Sequence, residues 1–125
     1  MDENQLSNIV IGCALDVHTA LGPGLLENAY QECLFYKINQ KGLFVEKEKY
    51  MPVIFEGVKI DCGYRLDILV EGKLIVELKS VKNLDSIHIA QVMTYLKLSK
   101  LKLGLLMNFN EIRLKNGIKR VVLDL

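Results

Sequence analysis

The sequence predicts an α/β (or α+β) fold, a mixed β-sheet flanked by helices in the order α-α-β-β-β-β-α-β-β. Three observations support this prediction. Apolar residues recur at helical spacing over 4–21 and 25–41, and from residue 43 the period changes to two, as in strands. A third helical segment, 87–99, then separates two apolar strand segments, which favours a parallel strand pair joined by a helix.

Glycine, proline and capping residues bound the predicted helices. The first helix ends at Gly22-Pro23-Gly24 and the second at Gly42, because these residues interrupt or close a helix. Asp85 or Ser86 can cap the third helix, since short polar side chains accept hydrogen bonds from the first turn.

The strand segments are short and lie between turn signals such as Glu56-Gly57 and Glu71-Gly72. The predicted strands cover 51–55, 58–61, 65–70, 74–79, 101–109 and 118–123.

Length and composition are those of one ordinary globular domain, residues 1–125, with half the residues hydrophobic and a quarter charged. No apolar run is long enough to span a bilayer, and the acidic N-terminus differs from a signal peptide, so we expect no membrane association and a cytoplasmic location. The three cysteines, Cys13, Cys33 and Cys62, lie far apart and resemble neither a zinc site nor a disulfide framework.

Charged residues interrupt the most apolar hairpin of the sequence. In the segment 74–79, Glu77 and Lys79 leave the same strand face, because strand side chains repeat every two residues. Asp67 lies in the preceding strand, and its position relative to Glu77 depends on the loop between the strands.

The hydrophobic pattern selects among the loops. A two-residue loop at Glu71-Gly72 would put Asp67 on the wrong face. A three-residue loop, Val70-Glu71-Gly72, pairs Leu69 with Lys73 and places Asp67 opposite Ile75, on the face of Glu77 and Lys79. We predict this register, since it also gives one wholly apolar face formed by Leu66, Ile68, Val70, Leu74, Val76 and Leu78.

Two carboxylates and a lysine in this arrangement are typical of a metal-dependent phosphodiester site. Asp67 and Glu77 can converge on a hard cation such as Mg²⁺ or Mn²⁺, and Lys79 can stabilise developing negative charge. An exposed Glu-Lys pair on a half-solvated strand is the alternative. Glu27 is either a third carboxylate or a first-turn acid favoured by the helix dipole.

The helices offer further candidate residues. Gln91 and Tyr95 lie on one line of the third helix, which should cross the strand of Glu77; a buried structural amide is the alternative for Gln91. Tyr30 shares a helix face with Glu27, and His18 lies beside the apolar stripe of the first helix, so both are candidate supporting residues.

The net charge is only +1, but its distribution is uneven. Residues 1–36 contain five acids and no Lys or Arg, whereas residues 97–120 contain seven bases and one acid. The basic end could follow a phosphate backbone, or it could be a solvated rim. The candidate nucleic-acid-binding residues are Lys97, Lys100, Lys102, Lys119 and Arg120.

Several blocks together resemble the GxxExxY proteins of the PD-(D/E)XK nuclease superfamily. The segment 24–30, G-L-L-E-N-A-Y, fits the signature G-x-x-E-x-x-Y, and Y-R-L-D at 64–67, V-E-L-K at 76–79 and A-Q-V-M-T-Y-L at 90–96 fit later blocks. Asn108-Phe109 and residues 117–120 resemble the C-terminal end of the family. One departure is Leu66, where the superfamily motif has proline before the aspartate.

The resemblance implies a restriction-endonuclease-like core with Mg²⁺ at the strand ends. Asp67 would be the motif aspartate, Glu77 and Lys79 the E-x-K pair, Glu27 the preceding helix carboxylate and Gln91 the downstream glutamine. The metal ligands would be Asp67, Glu77, Glu27 and the Leu78 backbone carbonyl.

The function predicted from the sequence is a divalent-metal-dependent nuclease that acts on nucleic acid, with DNA favoured over RNA. A non-catalytic nucleic-acid-binding or assembly module on the same fold is the alternative. Because so small a domain has little surface for choosing a substrate, a homodimer or a protein partner is expected in either case.

Overall fold

A computed structural model describes the backbone of all 125 residues and every side chain except that of Cys62. Three α-helices, five β-strands and one short 3₁₀-helix (Leu114–Gly117) form the described chain. Their bounds are α1 Glu3–Leu21, α2 Glu27–Gln40, β1 Val45–Phe55, β2 Val58–Val70, β3 Leu74–Lys79, α3 Ser86–Ser99, β4 Leu103–Asn108 and β5 Ile118–Val122.

The strands form one mixed sheet in the order β1-β2-β3-β4-β5. The β3–β4 pair is parallel and all other pairs are antiparallel, because α3 carries the chain back across the sheet between β3 and β4. The predicted fold class and the predicted parallel pair are therefore confirmed.

The predicted order contains one strand too many before α3. The segments 58–61 and 65–70 were expected as two strands, but both belong to the continuous strand β2. Gly63, which reads as a break in the sequence, lies within this strand where β1 comes close: a Cβ on Gly63 would meet the Met51 carbonyl oxygen at 2.0 Å. The glycine marks a close approach of the β1 backbone at a shift in register rather than the end of a strand.

Two apolar clusters hold the layers together. The larger one joins α1 and α2 to one sheet face, with Leu6, Leu34 and Val76 fully buried. The smaller one joins α3 to the other face through residues such as Val92 and Ile75. Burial of both sheet faces explains why β3 and β4 are nearly continuous apolar segments.

The register between β2 and β3 differs from the predicted one by two residues. Leu69 pairs with Ile75 and Val70 with Leu74, so the loop comprises residues 71–73 rather than 70–72. A two-residue shift preserves the alternation of side chains between the two faces, and the hydrophobic pattern therefore cannot distinguish the two registers. In the observed register Asp67 lies across from Glu77 instead of Ile75.

The first two strands form a hairpin that extends well beyond β3. The ladder pairs between β2 and β3 run from Ile68 to Val70 on β2, whereas β1 follows β2 to the turn at Glu56-Gly57. We call residues 50–63 of this hairpin the distal arm.

Cys13 is buried in the larger cluster and Cys33 packs at its edge, both as free thiols. The expectation for Cys62 concerns a side chain outside the described residues. Among the described helices, none combines the length and the apolar character needed to cross a membrane.

Candidate active site at the β2–β3 junction

Two carboxylates replace the regular strand ladder where β2 and β3 separate. The last ladder pair in this direction is Ile68 with Val76. Beyond it, the backbone N–H of Asp67 donates to Glu77 Oε2 (2.9 Å), and the N–H of Leu78 donates to Asp67 Oδ2 (3.0 Å). Each carboxylate thus accepts a backbone N–H of the opposite strand, which fixes the two acidic groups side by side.

The alternation of β2 changes at the same point. Ile68 packs in the α1–α2 cluster, whereas Leu66 packs in the α3 cluster, although residues two apart in a regular strand share a face. The predicted apolar face is therefore correct apart from Leu66. The change coincides with Asp67, whose backbone bonds to a side chain instead of to a ladder partner.

Burial and mutual repulsion govern the charge of the pair. Glu77 is 3 % exposed, and this burial, followed by the charge of Asp67, raises its pKa to about 9. Lys79 acts in the opposite direction and lowers the pKa of Glu77. The pair therefore retains a proton at neutral pH unless positive charge is supplied.

Two cationic side chains flank the pair. Lys79, the last residue of β3, is half-buried and near enough to Glu77 to affect its ionisation. Arg65 Nη2 lies 3.4 Å from Asp67 Oδ1, and its Nη1 lies 3.1 Å from Glu48 Oε1. Arg65 was not among the predicted site residues, although its spacing of two residues from Asp67 is a signal that could have identified it.

An aromatic pair lies next to the acidic groups. Tyr64 stacks on Tyr95 of α3 with ring centroids 4.8 Å apart. The pKa of the Tyr95 hydroxyl is raised, first by burial and then by the charges of Glu77 and Asp67. Tyr95 therefore stands near the acids, as the sequence predicted, and Tyr64 is a further neighbour that the prediction omitted. Gln91, one turn earlier on α3, is half-buried.

The start of α2 lies beside the end of β3. Ser80, directly after Lys79, donates from its Oγ to the carbonyl oxygen of Leu25 (2.6 Å). Glu27 is the first residue of α2 and is exposed. The structure thus places Glu27 at the same end of the sheet as Lys79 but does not group it with Asp67 and Glu77 in a three-ligand cluster.

Tyr30 and His18, the two candidate supporting residues, make structural hydrogen bonds at this end of the sheet. Tyr30 is fully buried; its hydroxyl donates to the Gly22 carbonyl (2.6 Å) and accepts the Leu25 N–H (3.0 Å). The Nε2 of His18 lies 2.8 Å from the carbonyl oxygen of Glu111. These contacts fasten the α1–α2 connection and the segment after β4.

Asn108, absent from the predicted site, fixes the segment that follows Lys79. The buried side chain donates from Nδ2 to the Val81 carbonyl (2.9 Å) and accepts the Val81 N–H at Oδ1 (3.1 Å). Asn108 also pairs with Lys79 across β3 and β4. A buried polar residue at the end of an apolar strand was the available signal.

The predicted basic residues are divided between two places. Three of them, Lys97, Lys100 and Lys102, lie near the end of α3 and the start of β4. This is the end of the sheet farther from the carboxyl end of β3. Lys119 and Arg120 lie on β5, level with the middle of β4, and Arg120 bonds to Asn4. Their contact with nucleic acid stays a prediction.

The donor chemistry of the site suits a hard divalent cation, although the described His, Cys, Asp and Glu side chains form no group of three that could hold a metal. Asp67 and Glu77 offer adjacent carboxylate oxygens, and their mutual repulsion would be relieved by positive charge between them. Leu78, whose backbone contacts Asp67, and Glu27 are the remaining predicted donors.

Comparison with known proteins agrees with the fold. A sequence model of the PD-(D/E)XK nuclease superfamily matches residues 4–121. The chain therefore belongs to this superfamily, whose members are typically nucleases that use divalent metal ions. Searches of curated proteins and of solved structures gave no match.

Proposed function

We propose that this protein is a divalent-metal-dependent nuclease that hydrolyses phosphodiester bonds. The observation that supports the proposal is the pairing of the partly buried Asp67 with the buried Glu77, in which each carboxylate accepts a backbone N–H of the other strand. Such a pair is unfavourable in isolation, since burial and repulsion resist its full ionisation, and a bound cation would compensate both costs.

The roles follow from position and charge. Asp67 and Glu77 would hold Mg²⁺ or Mn²⁺, with the Leu78 carbonyl and Glu27 as additional donors. The ion would supply Lewis-acid polarisation of the scissile phosphate and neutralise its charge. Lys79, at the open end of β3, would stabilise the attacking oxygen or the negative charge that develops on the phosphate.

Gln91 and Tyr95 would position substrate groups from α3. The Tyr95 hydroxyl remains protonated well above neutral pH, because burial and the two carboxylates raise its pKa. It can therefore donate a hydrogen bond to a phosphate oxygen throughout the physiological range. Tyr64 stacks on its ring and restricts its orientation.

The finer assignments are part of the same proposal. We infer membership of the GxxExxY group from the segment 24–30 together with the blocks around Asp67, Glu77 and Gln91. DNA is the favoured substrate, in a cytoplasmic setting, and a homodimer or a protein partner would extend the small substrate surface.

The test is a cleavage panel of labelled duplex, nicked, branched and single-stranded DNA and of RNA, with Mg²⁺, Mn²⁺ or EDTA. Wild type is compared with Lys79→Ala and with Lys73→Ala, a matched control at the other end of β3. We expect metal-dependent cutting that falls at least about a hundredfold in Lys79→Ala and persists in Lys73→Ala.

Equal cutting by wild type and Lys79→Ala would remove Lys79 from the mechanism. Salt-sensitive binding without cutting under any metal condition would overturn the nuclease assignment in favour of the binding module.

A further inference from the structure

The distal arm exposes an unusual concentration of large apolar side chains. Five of them are exposed within eleven residues, and Phe55 at the tip is 63 % exposed. They are Tyr50, Ile54, Phe55, Val58 and Ile60. An exposed ribbon of this kind is a ready partner for another chain, and folded proteins ordinarily cover or protect it.

The two edges of the arm are not equivalent. On β1, Pro52 lacks an N–H, a feature that discourages strand addition, and the register shift beside it places the extra residues, 61–63, on β2. On β2, the pairing with β3 begins only at Ile68, and Val58–Asp61 is exposed. The open edge of the described arm is therefore the β2 edge.

The turn determines which backbone groups face that edge. Glu56 and Gly57 both have positive φ, as in a two-residue type I′ turn, and Phe55 pairs with Val58 across it. Because hydrogen-bonded and non-hydrogen-bonded pairs alternate along an antiparallel ladder, Val58 and Ile60 direct their backbone groups to β1. Lys59 then directs both of its groups outward, and Asp61, at the start of the register shift, directs its N–H outward because the Ile60 carbonyl of the same peptide faces β1.

The charged side chains of this edge are arranged so that the edges of two copies of the chain are complementary. The side chains of Lys59 and Asp61 are 66 % and 89 % exposed and share one face, with only a loose contact of 3.9 Å between them. Antiparallel pairing of two copies about Ile60 would set Lys59 of each copy opposite Asp61 of the other. Pairing about Lys59 or about Asp61 would instead oppose like charges.

We propose that the β2 edge of the distal arm is a homodimerisation surface, on which a second copy of this chain pairs antiparallel about Ile60. In the same register the outward N–H of Asp61 can donate to the outward carbonyl of Lys59 in the other copy, and the two Ile60 side chains come together. The inference concerns the arm alone and does not depend on the proposed nuclease activity.

The contact is short, so the dimer should be weak. Specific interfaces bury about 1,200 Å² or more in total, and pairing through one arm edge lies at or below this limit. Association should therefore depend on protein concentration and, because two charge pairs are formed, on salt.

Charge reversal tests the register directly. Sedimentation velocity over a wide concentration range would compare wild type, Lys59→Asp, Asp61→Lys, an equimolar mixture of the two variants, and the double variant. We expect wild type and the double variant to dimerise and each single variant to be monomeric. The mixture should dimerise again, because every Asp would then face a Lys. Lys115→Asp is the exposed control and should dimerise like wild type.

Circular dichroism would verify that each variant is folded. A wild type that remains monomeric at the highest concentration overturns the proposal, as does a dimer that both single variants retain. Single variants that stay monomeric when mixed would overturn the Ile60-centred register.

Discussion

Asp61 and Asp67 are the same residue type on the same strand, six residues apart, yet their side chains differ in exposure and in hydrogen bonding. The Asp61 side chain is 89 % exposed, with Lys59 as a loose neighbour in the distal arm. The Asp67 side chain is 15 % exposed, accepts a backbone N–H from Leu78 and lies beside Glu77.

The difference shows that position in the sheet, not residue type or strand pattern, determines how far a carboxylate is buried and how strongly it interacts with neighbouring charges. β2 is paired on both edges at Ile68, and next to this residue Glu77 is buried and the Asp67 side chain is 15 % exposed. In the arm, β2 has a neighbour on one edge only, and water surrounds its charges. Charge–charge interactions are strong in the first setting and screened in the second.

The largest expected effect is on cleavage, and it distinguishes the two aspartates when each is replaced by asparagine. Asp67→Asn should reduce metal-dependent cleavage by about a hundredfold or more, because the site loses half of its paired carboxylates. Asp61→Asn should cleave like wild type when both proteins are assayed at concentrations where they are monomeric. Initial rates under saturating Mg²⁺ would measure both, and equal losses would abolish the distinction between the two positions.

A smaller effect concerns pH and stability in the metal-free protein. The folded-state pKa of Glu77, about 9, exceeds its ordinary value of 4.5, so its contribution to stability is present below 4.5 and is lost as pH rises towards 9. Wild type should lose up to about 1.4 kcal/mol of unfolding free energy per pH unit in this window. Glu77→Gln should remove most of that slope, because an amide does not ionise.

Urea unfolding in EDTA at several pH values would measure the slopes. Asp61→Asn is the control, and its curve should run parallel to that of wild type, since Asp61 is exposed. Parallel curves for Glu77→Gln and wild type would show that Glu77 ionises normally in the folded protein.

The smallest effect extends the comparison to two asparagines, one at the end of β4 and one just after it. Asn108→Ala should cost about 2 kcal/mol of stability, because both Val81 backbone groups lose their partner in a buried position. Cleavage should also fall, though less than in Asp67→Asn, since the segment after Lys79 loosens. Asn110→Ala, at an exposed side chain, should change stability by less than about 0.5 kcal/mol. Thermal unfolding and cleavage rates of the two variants would give the contrast, and similar losses would contradict it.

The helices and the parallel pair could be predicted because each depends on local signals. The stripe of α1, the glycines after α1 and α2, and the crossover through α3 are all readable within short windows of sequence. The continuity of β2 could not be predicted, because the sequence shows Gly63 but not the neighbouring strand whose close approach accounts for a glycine there.

The candidate site could be predicted where it follows strand parity. Asp67 and Glu77 were expected on one face, and the structure brings them together despite a register that differs by two residues. Tyr64 and Asn108 were missed because their contacts join distant segments. Arg65 was missed although its spacing of two residues from Asp67 is visible in the sequence.

Alternation and helical periodicity are properties of the chain, so the residues that can share a face are predictable from the sequence. Which of these residues are buried, and which lie next to one another, depends on tertiary contacts. Asp61 and Asp67 are equivalent in sequence pattern, but the carboxylate of Asp67 lies beside that of Glu77 because β3 and α3 close over one half of β2 and leave the other half in water. Burial and proximity, which set the pKa of Glu77, arise from segments that the chain brings together only on folding.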